Sequence, residues 1–140
     1  MAIKASTLGA TSAAPMPWRP RAAINISALT PRPPRSEAAA NTPFGGTVAH
    51  GFLTLSLLSR MAADVMLRPE AVKMGVNYGF EKVRFIAPVR SGKRVRGHFR
   101  LELFEEKRPG EYRFIHQVTV EIEGEDKPAL VADWIGLIFV

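Results

Sequence analysis

The sequence predicts an α+β domain in which a mostly antiparallel sheet wraps around one central hydrophobic helix. Three observations carry that expectation. A stretch beginning at "AHGFLTLSLLS" is apolar on nearly every side, and a helix apolar all round is one surrounded by protein. Two later stretches, "RVRGHFRLEL" and "YRFIHQVTVEI", alternate apolar and polar residues around a Pro-Gly turn, which is the period of a half-buried strand. The chain then closes on "ALVADWIGLIFV", apolar almost throughout.

The elements follow in order. Residues 1–36 form an atypical leader, rich in Pro, Arg, Ala and Ser, with no sustained helical or strand period. Its Pro-Pro and Pro-x-Pro spacing favours extended or irregular chain, and poor order is expected over at least residues 1–20. An acid-free, Arg- and Ser-containing start also has the composition of a transit peptide. From residue 37 the composition changes, so residues 37–140 are taken as the domain. "SEAAAN" suggests a short helix stopped by Pro43. The main helix is expected to begin between Thr47 and His50 and to run to about Leu67, ahead of Pro69.

Four strands are expected after it. "NYGFEKVRFIAPV" supplies the first, with Val83 and Phe85 inward. Val95, Phe99, Leu101 and Leu103 share one face of the second, leaving Arg94, Arg96, His98, Arg100 and Glu102 on the other. Pro109-Gly110 centres a turn. Tyr112, Phe114, Val118, Val120 and Ile122 then face inward on the third, with His116 in the same register, where a satisfied half-buried histidine is expected. "GEDKP" turns the chain into the last strand, whose continuous apolar character reads as central in the sheet. Burying the helix against one face of these strands gives the hot-dog arrangement.

Composition narrows the function classes. The chain has 140 residues, enough for one domain with a core. It has no cysteine, which excludes disulfides and thiolate-ligated metal. No apolar run approaches the roughly 20 residues needed to cross a bilayer, so a soluble, cytoplasmic protein is expected. The net charge of +6 lies mostly in the leader, where Lys4, Arg19, Arg21, Arg32 and Arg35 meet no acid. Residues 37–140 hold 14 basic and 13 acidic groups. A folded surface so nearly neutral lacks the basic stripe of a nucleic-acid reader.

"PFGGTVAHGFLTLSLLS", "NYGFEKVRFIAPVRSGKRVRG" and "VTVEIEGEDKPALVAD" together resemble the MaoC-like dehydratase family, in the branch holding (R)-specific enoyl-CoA hydratases and NodN-like proteins. The resemblance spans about residues 37–140. It implies a hot-dog fold, a homodimer that extends the sheet, and an acyl-CoA thioester as ligand, with coenzyme A part of the substrate and no separate cofactor or metal. The implied reaction adds water across a trans-2-enoyl thioester or removes it from the (R)-3-hydroxyacyl form. By that resemblance the backbone N–H of Gly51 polarises the thioester oxygen, and Ser59 lines the substrate pocket. Gly45 and Gly46 let the loop approach the ligand, or all three glycines, Gly51 included, serve only the turn into the helix. His50 is a candidate proton carrier or a local hydrogen-bonding residue, and Ser59 a ligand contact or a buried serine bonded back to its own helix.

One departure stands out. The family's aspartate and histidine, commonly within Gly-Asp-x-x-x-x-His-x-Asp, activate water upstream of this loop. Counting back from His50 reaches Ser27 or Ala28 for the aspartate and Arg32 or Pro33 for the histidine. Residues 1–36 contain no Asp, Glu or His. Either the chain kept a thioester pocket for binding without hydration, or the leader reflects a shifted reading frame or misplaced start. A hot-dog thioesterase, which needs a carboxylate near the helix start, is a further alternative, with Glu37 and Asp64 the nearest acids.

Overall fold

A computed structural model describes residues 3–4, 23–25, 39, 41–66 and 69–140. Most of the expected leader and of the short helix before Pro43 lies outside the described residues. Within the leader, β1 (Ile3–Lys4) and β2 (Ala23–Asn25) both pair antiparallel with β4 (Arg94–Arg108).

One helix, α1 (Gly51–Val65), precedes the long strands. His50 caps it: its backbone is extended and its Nδ1 accepts the Phe52 N–H at 3.2 Å, satisfying one of the orphan amides of a helix start. The far end stops two residues before the expected Leu67. Met66 turns to an extended conformation there, its N–H still donating to the Ala62 carbonyl. The chain then reaches Pro69, whose ring disfavours helical backbone in the residue ahead of it.

Strand order places the apolar C-terminal strand inside the sheet, as its composition predicts. β3 (Met74–Phe85), β6 (Leu130–Phe139), β5 (Glu111–Ile122) and β4 are neighbours in that order, all antiparallel. Val95, Val118, Val120, Ile122, Leu130, Ala132 and Trp134 face Leu57, Leu58, Met61 and Ala62 of the helix and are buried together. The Val, Leu, Ile and Met side chains among them each contribute about 1.5–3 kcal/mol when fully buried. Gly97 permits the close approach, since a Cβ there would lie 2.8 Å from the Met61 sulfur.

Three expectations need correction. The helix is not enclosed: Thr54, Leu57, Leu58, Met61 and Ala62 form a buried stripe, while Phe52 is 65% exposed and Ser56 and Ser59 face outward. Leu103 does not share the face of Val95. An extra residue between Leu101 and Leu103 shifts the register against β5, so Leu103 pairs with Ile115 and Phe104 with Phe114. Such a bulge turns every later side chain to the opposite face. Phe85, expected inward, is 48% exposed and lies across the start of α1, whereas Val83 packs on the core.

Candidate functional site

The loop before α1 is built by a short set of backbone bonds. Gly45 N–H donates to the Thr42 carbonyl at 2.9 Å, and Gly45 holds φ at +64°, a left-handed value glycine adopts without strain. Gly46 lies in the same turn and faces open space. Residues 47–49 then pair with the segment after β3: Ala49 N–H donates to the Val89 carbonyl at 2.8 Å and Ser91 N–H to the Thr47 carbonyl at 2.9 Å. This pairing delivers His50 to the cap position and Gly51 to the first turn.

At the first residue of a helix the amide has no intrahelical acceptor, and no acceptor among the described residues meets that of Gly51. The first turn of α1 carries no acidic side chain, so the positive end of the helix dipole is not neutralised locally. The Phe85 ring packs directly on Gly51, its Cδ1 2.8 Å from the place a Cβ would occupy. Phe52 meets Phe85 edge-on at 5.8 Å, and the His50 ring stacks on Phe52 at 5.6 Å.

Two cavities flank this helix start. The first, about 370 Å³, borders Gly51 and Thr54 and is walled by Phe85, Pro88, Val89 and Ala129. None of its lining residues is ionisable. The second, about 250 Å³, lies along the helix and is lined by Phe52, Leu55, Ser59, Asn77, Phe80 and Trp134, among others. The structure therefore divides the expected site: Gly51 borders one cavity and Ser59 the other, and Gly45, Gly46 and His50 line neither. Ser59 is not a buried serine bonded back to its helix. It is exposed, and the back-bonded serine is Ser56, whose hydroxyl donates to the Leu53 carbonyl at 2.8 Å.

The other histidines lie apart. His98 sits on the outer face of the sheet, its Nε2 2.9 Å from a Glu121 oxygen that also takes Arg96 at 2.7 Å. Burial works against the Glu121 charge, but the bonds from His98 and Arg96 outweigh it and hold the carboxyl below its ordinary range. His116 is half-buried as expected; its Nδ1 has no hydrogen-bond partner among the described residues, and burial lowers its pKa from the ordinary 6.5. Among the described residues no cluster of His, Asp or Glu could hold a metal ion. No described helix is long and apolar enough to cross a membrane. Sequence reasoning missed Asn77 and Trp134, joined by a 2.6 Å hydrogen bond from Trp134 Nε1 to Asn77 Oδ1. The one available signal was the need of any buried indole for an acceptor.

A helix cradled by an antiparallel sheet, with a glycine amide at its capped start, defines a hot-dog domain. The chain matches the MaoC like domain over residues 35–124, and it belongs to that family. It is 52% identical over 102 residues to Nodulation protein N of Rhizobium meliloti, covering 73% of this chain and 63% of that protein. It is 48% identical over 99 residues to 3-hydroxyacyl-thioester dehydratase Z of Mycobacterium tuberculosis, covering 71% and 65%. The chain thus spans less than two thirds of the length of these relatives. Among solved structures, a monoamine oxidase regulatory protein from Archaeoglobus superposes with a TM-score of 0.63 at 24% identity, covering 74% of this chain and 68% of that one. An (R)-hydratase from A. caviae superposes with a TM-score of 0.59 at 21% identity, covering 72% and 70%. These two likenesses establish the fold.

Proposed function

We propose that this chain binds an acyl-CoA thioester at the start of α1 and belongs functionally with the thioester hydratases and dehydratases. The observation that carries the reading is the Gly51 amide, without an acceptor at an unneutralised helix N-terminus beside an apolar cavity. Hydration of a trans-2-enoyl thioester forms a C–O bond at C3 and drives the π electrons toward the thioester oxygen. C2 then takes a proton as the carbonyl re-forms. An amide aimed at that oxygen stabilises the charge as it develops. Glycine leaves the donor without a side chain of its own in the way.

Activation of the water is the weak step. The cavity beside Gly51 has no ionisable lining, and residues 1–36 contain no Asp, Glu or His. His50, the one imidazole nearby, already uses Nδ1 to cap the helix. A positioned acid or base is typically worth 10²–10⁴ in rate, so binding without appreciable turnover is the expected behaviour. Of the two carboxylates named for the thioesterase alternative, the structure describes only Asp64. Asp64 pairs with Arg60 in the last turn, about 20 Å along the axis from Gly51, and Glu37 lies outside the described residues. We further propose a cytoplasmic homodimer joined through the edge strand β3, which ends the strand order.

Calorimetry with crotonyl-CoA, paired with a hydration assay, tests the reading. Binding with little hydration is expected. Replacing residues 1–36 with a family segment bearing the aspartate and histidine should restore hydration, and the same graft with both residues changed to alanine should not. Strong hydration by the unaltered chain would overturn the account and make His50 the acid or base.

A further inference from the structure

Among the residues that line the cavity beside Gly51, only Thr54 has a polar atom in its side chain. Thr54 is 3% exposed. A threonine or serine inside a helix commonly returns its hydroxyl to the carbonyl three or four residues back, as Ser56 does to Leu53. Thr54 does not. The carbonyl four residues back, that of His50, already accepts the Leu53 N–H at 2.9 Å and the Thr54 N–H at 3.4 Å, which uses both of its lone pairs. No hydrogen-bond partner among the described residues meets the Thr54 hydroxyl. Nor is its oxygen one of the polar atoms sealed into the core without a partner, so the opening it keeps is onto the cavity it lines. A buried hydroxyl without a partner is costly, and a ligand that supplies the partner recovers that cost.

Gly51 and Thr54 stand three positions apart on α1, so they share a helix face and lie about 4.5 Å apart along its axis. The Cα–Cβ bond of a helical residue tilts toward the helix N-terminus, which carries the Thr54 side chain back toward the first turn. The same cavity is thus bordered by two unpartnered polar groups. The Gly51 amide only donates, whereas a hydroxyl donates and accepts. Resting on the thioester reading above, we infer that Thr54 recognises an oxygen at C3 of the acyl chain, so that the site favours a 3-hydroxyacyl thioester over one saturated at C3. With the carbonyl oxygen on the Gly51 amide, C3 is two carbons along the chain, within the single helical turn that separates the two groups. A hydroxyl there donates and accepts as Thr54 does, while a saturated C3 leaves the Thr54 hydroxyl unpaired. A site built around a buried polar group rejects the analogue that cannot pair with it. Thr54 positions this oxygen and moves no proton, since no carboxylate or imidazole lines the cavity to take one.

The test compares (R)-3-hydroxybutyryl-CoA with butyryl-CoA, which differ in that one oxygen, by calorimetry on the full chain. The hydroxy form should bind several-fold to about tenfold tighter, as one hydrogen bond allows. Thr54→Val keeps the shape of the side chain and removes the hydroxyl, so the preference should vanish. Thr54→Ser restores a hydroxyl and should restore the preference. Thermal unfolding separates a ligand contact from a structural one: with no internal hydrogen bond to lose, Thr54→Val should melt no lower than the parent chain. Equal affinity of the parent chain for both thioesters would overturn the inference, as would an undiminished preference in Thr54→Val. A lower melting temperature for Thr54→Val would show that the hydroxyl has a partner inside the fold, and would overturn it as well. Failure of these thioesters and of crotonyl-CoA to bind would instead remove the thioester reading, whereas crotonyl-CoA binding with no gain from the C3 hydroxyl would strike the role of Thr54 alone.

Discussion

The Phe85 ring occupies the space in which a side chain at Gly51 would begin, its Cδ1 2.8 Å from that point. Glycine is thus required here by packing as well as by access to the backbone. Overpacking typically costs about 1–3 kcal/mol, and a half-exposed ring yields more easily than a buried one. Gly51→Ala should therefore lower stability by about 1 kcal/mol, and Phe85→Ala in the same chain should relieve the clash. Thermal unfolding of the single and double variants checks this. No gain in the double variant would mean that Phe85 is not the constraint.

Gly136 presents the same relationship inside the sheet. A Cβ there would run into the Phe114 ring, which lies across β6, and the backbone on both sides is held by paired strands. Gly136→Ala should destabilise by about 1–3 kcal/mol, with partial recovery when Phe114 is changed to Leu. Denaturant midpoints at constant slope are the measurement.

Met61 is wholly buried between the helix and Gly97. Its truncation removes apolar contact and leaves a hole that the surrounding strands cannot fill. Met61→Ala should cost about 2–5 kcal/mol, in contrast to Arg60→Ala one residue earlier, where an exposed pair is worth about 0–1 kcal/mol.

His116 sets a pH dependence. Burial lowers its folded-state pKa from 6.5, so the unfolded chain binds its proton at a higher pH than the folded one. Stability from this residue is present above 6.5 and falls as pH drops from there toward the folded-state value. His116→Gln should flatten the unfolding free energy over that window. An unchanged slope would show that burial does not lower the His116 pKa in the folded chain.

Edge pairing gives a test of assembly. On the far side of the sheet β4 pairs with β1 and β2, while β3 ends the strand order and exposes Met74, Val76 and Tyr78. An edge of twelve residues with no further strand beside it among the described residues invites a second copy. Sedimentation should show a dimer at micromolar concentration, weakened by Val76→Lys.

Much of this fold was legible because burial imposes period. Alternation identified β5 residue by residue, and unbroken apolarity placed β6 in the interior. The bulge at Glu102 left no comparable trace: nothing local marks the residue at which Leu103 changes face. Phe85 reads as inward by alternation, yet its ring closes on a glycine 34 positions earlier in the chain, a contact that only the tertiary fold creates. The same holds for Asn77 and Trp134, separated by 57 positions. The place of Gly51 at the start of the helix was legible in the sequence, whereas the division of Gly51 and Ser59 between two cavities emerges only in the fold.

The central claim is that the Gly51 amide donates to the thioester oxygen, and proline can remove that amide while keeping the helix. Proline is favoured at the first helical position, and His50 already has the extended backbone that a following proline requires. Gly51→Ala and Gly51→Pro, each combined with Phe85→Ala, then differ chiefly in one N–H. The decisive measurement is the carbonyl ¹³C resonance of [1-¹³C]crotonyl-CoA bound to each. A downfield shift on binding the alanine variant, lost in the proline variant, is the result this account predicts. The same shift in both variants would contradict it.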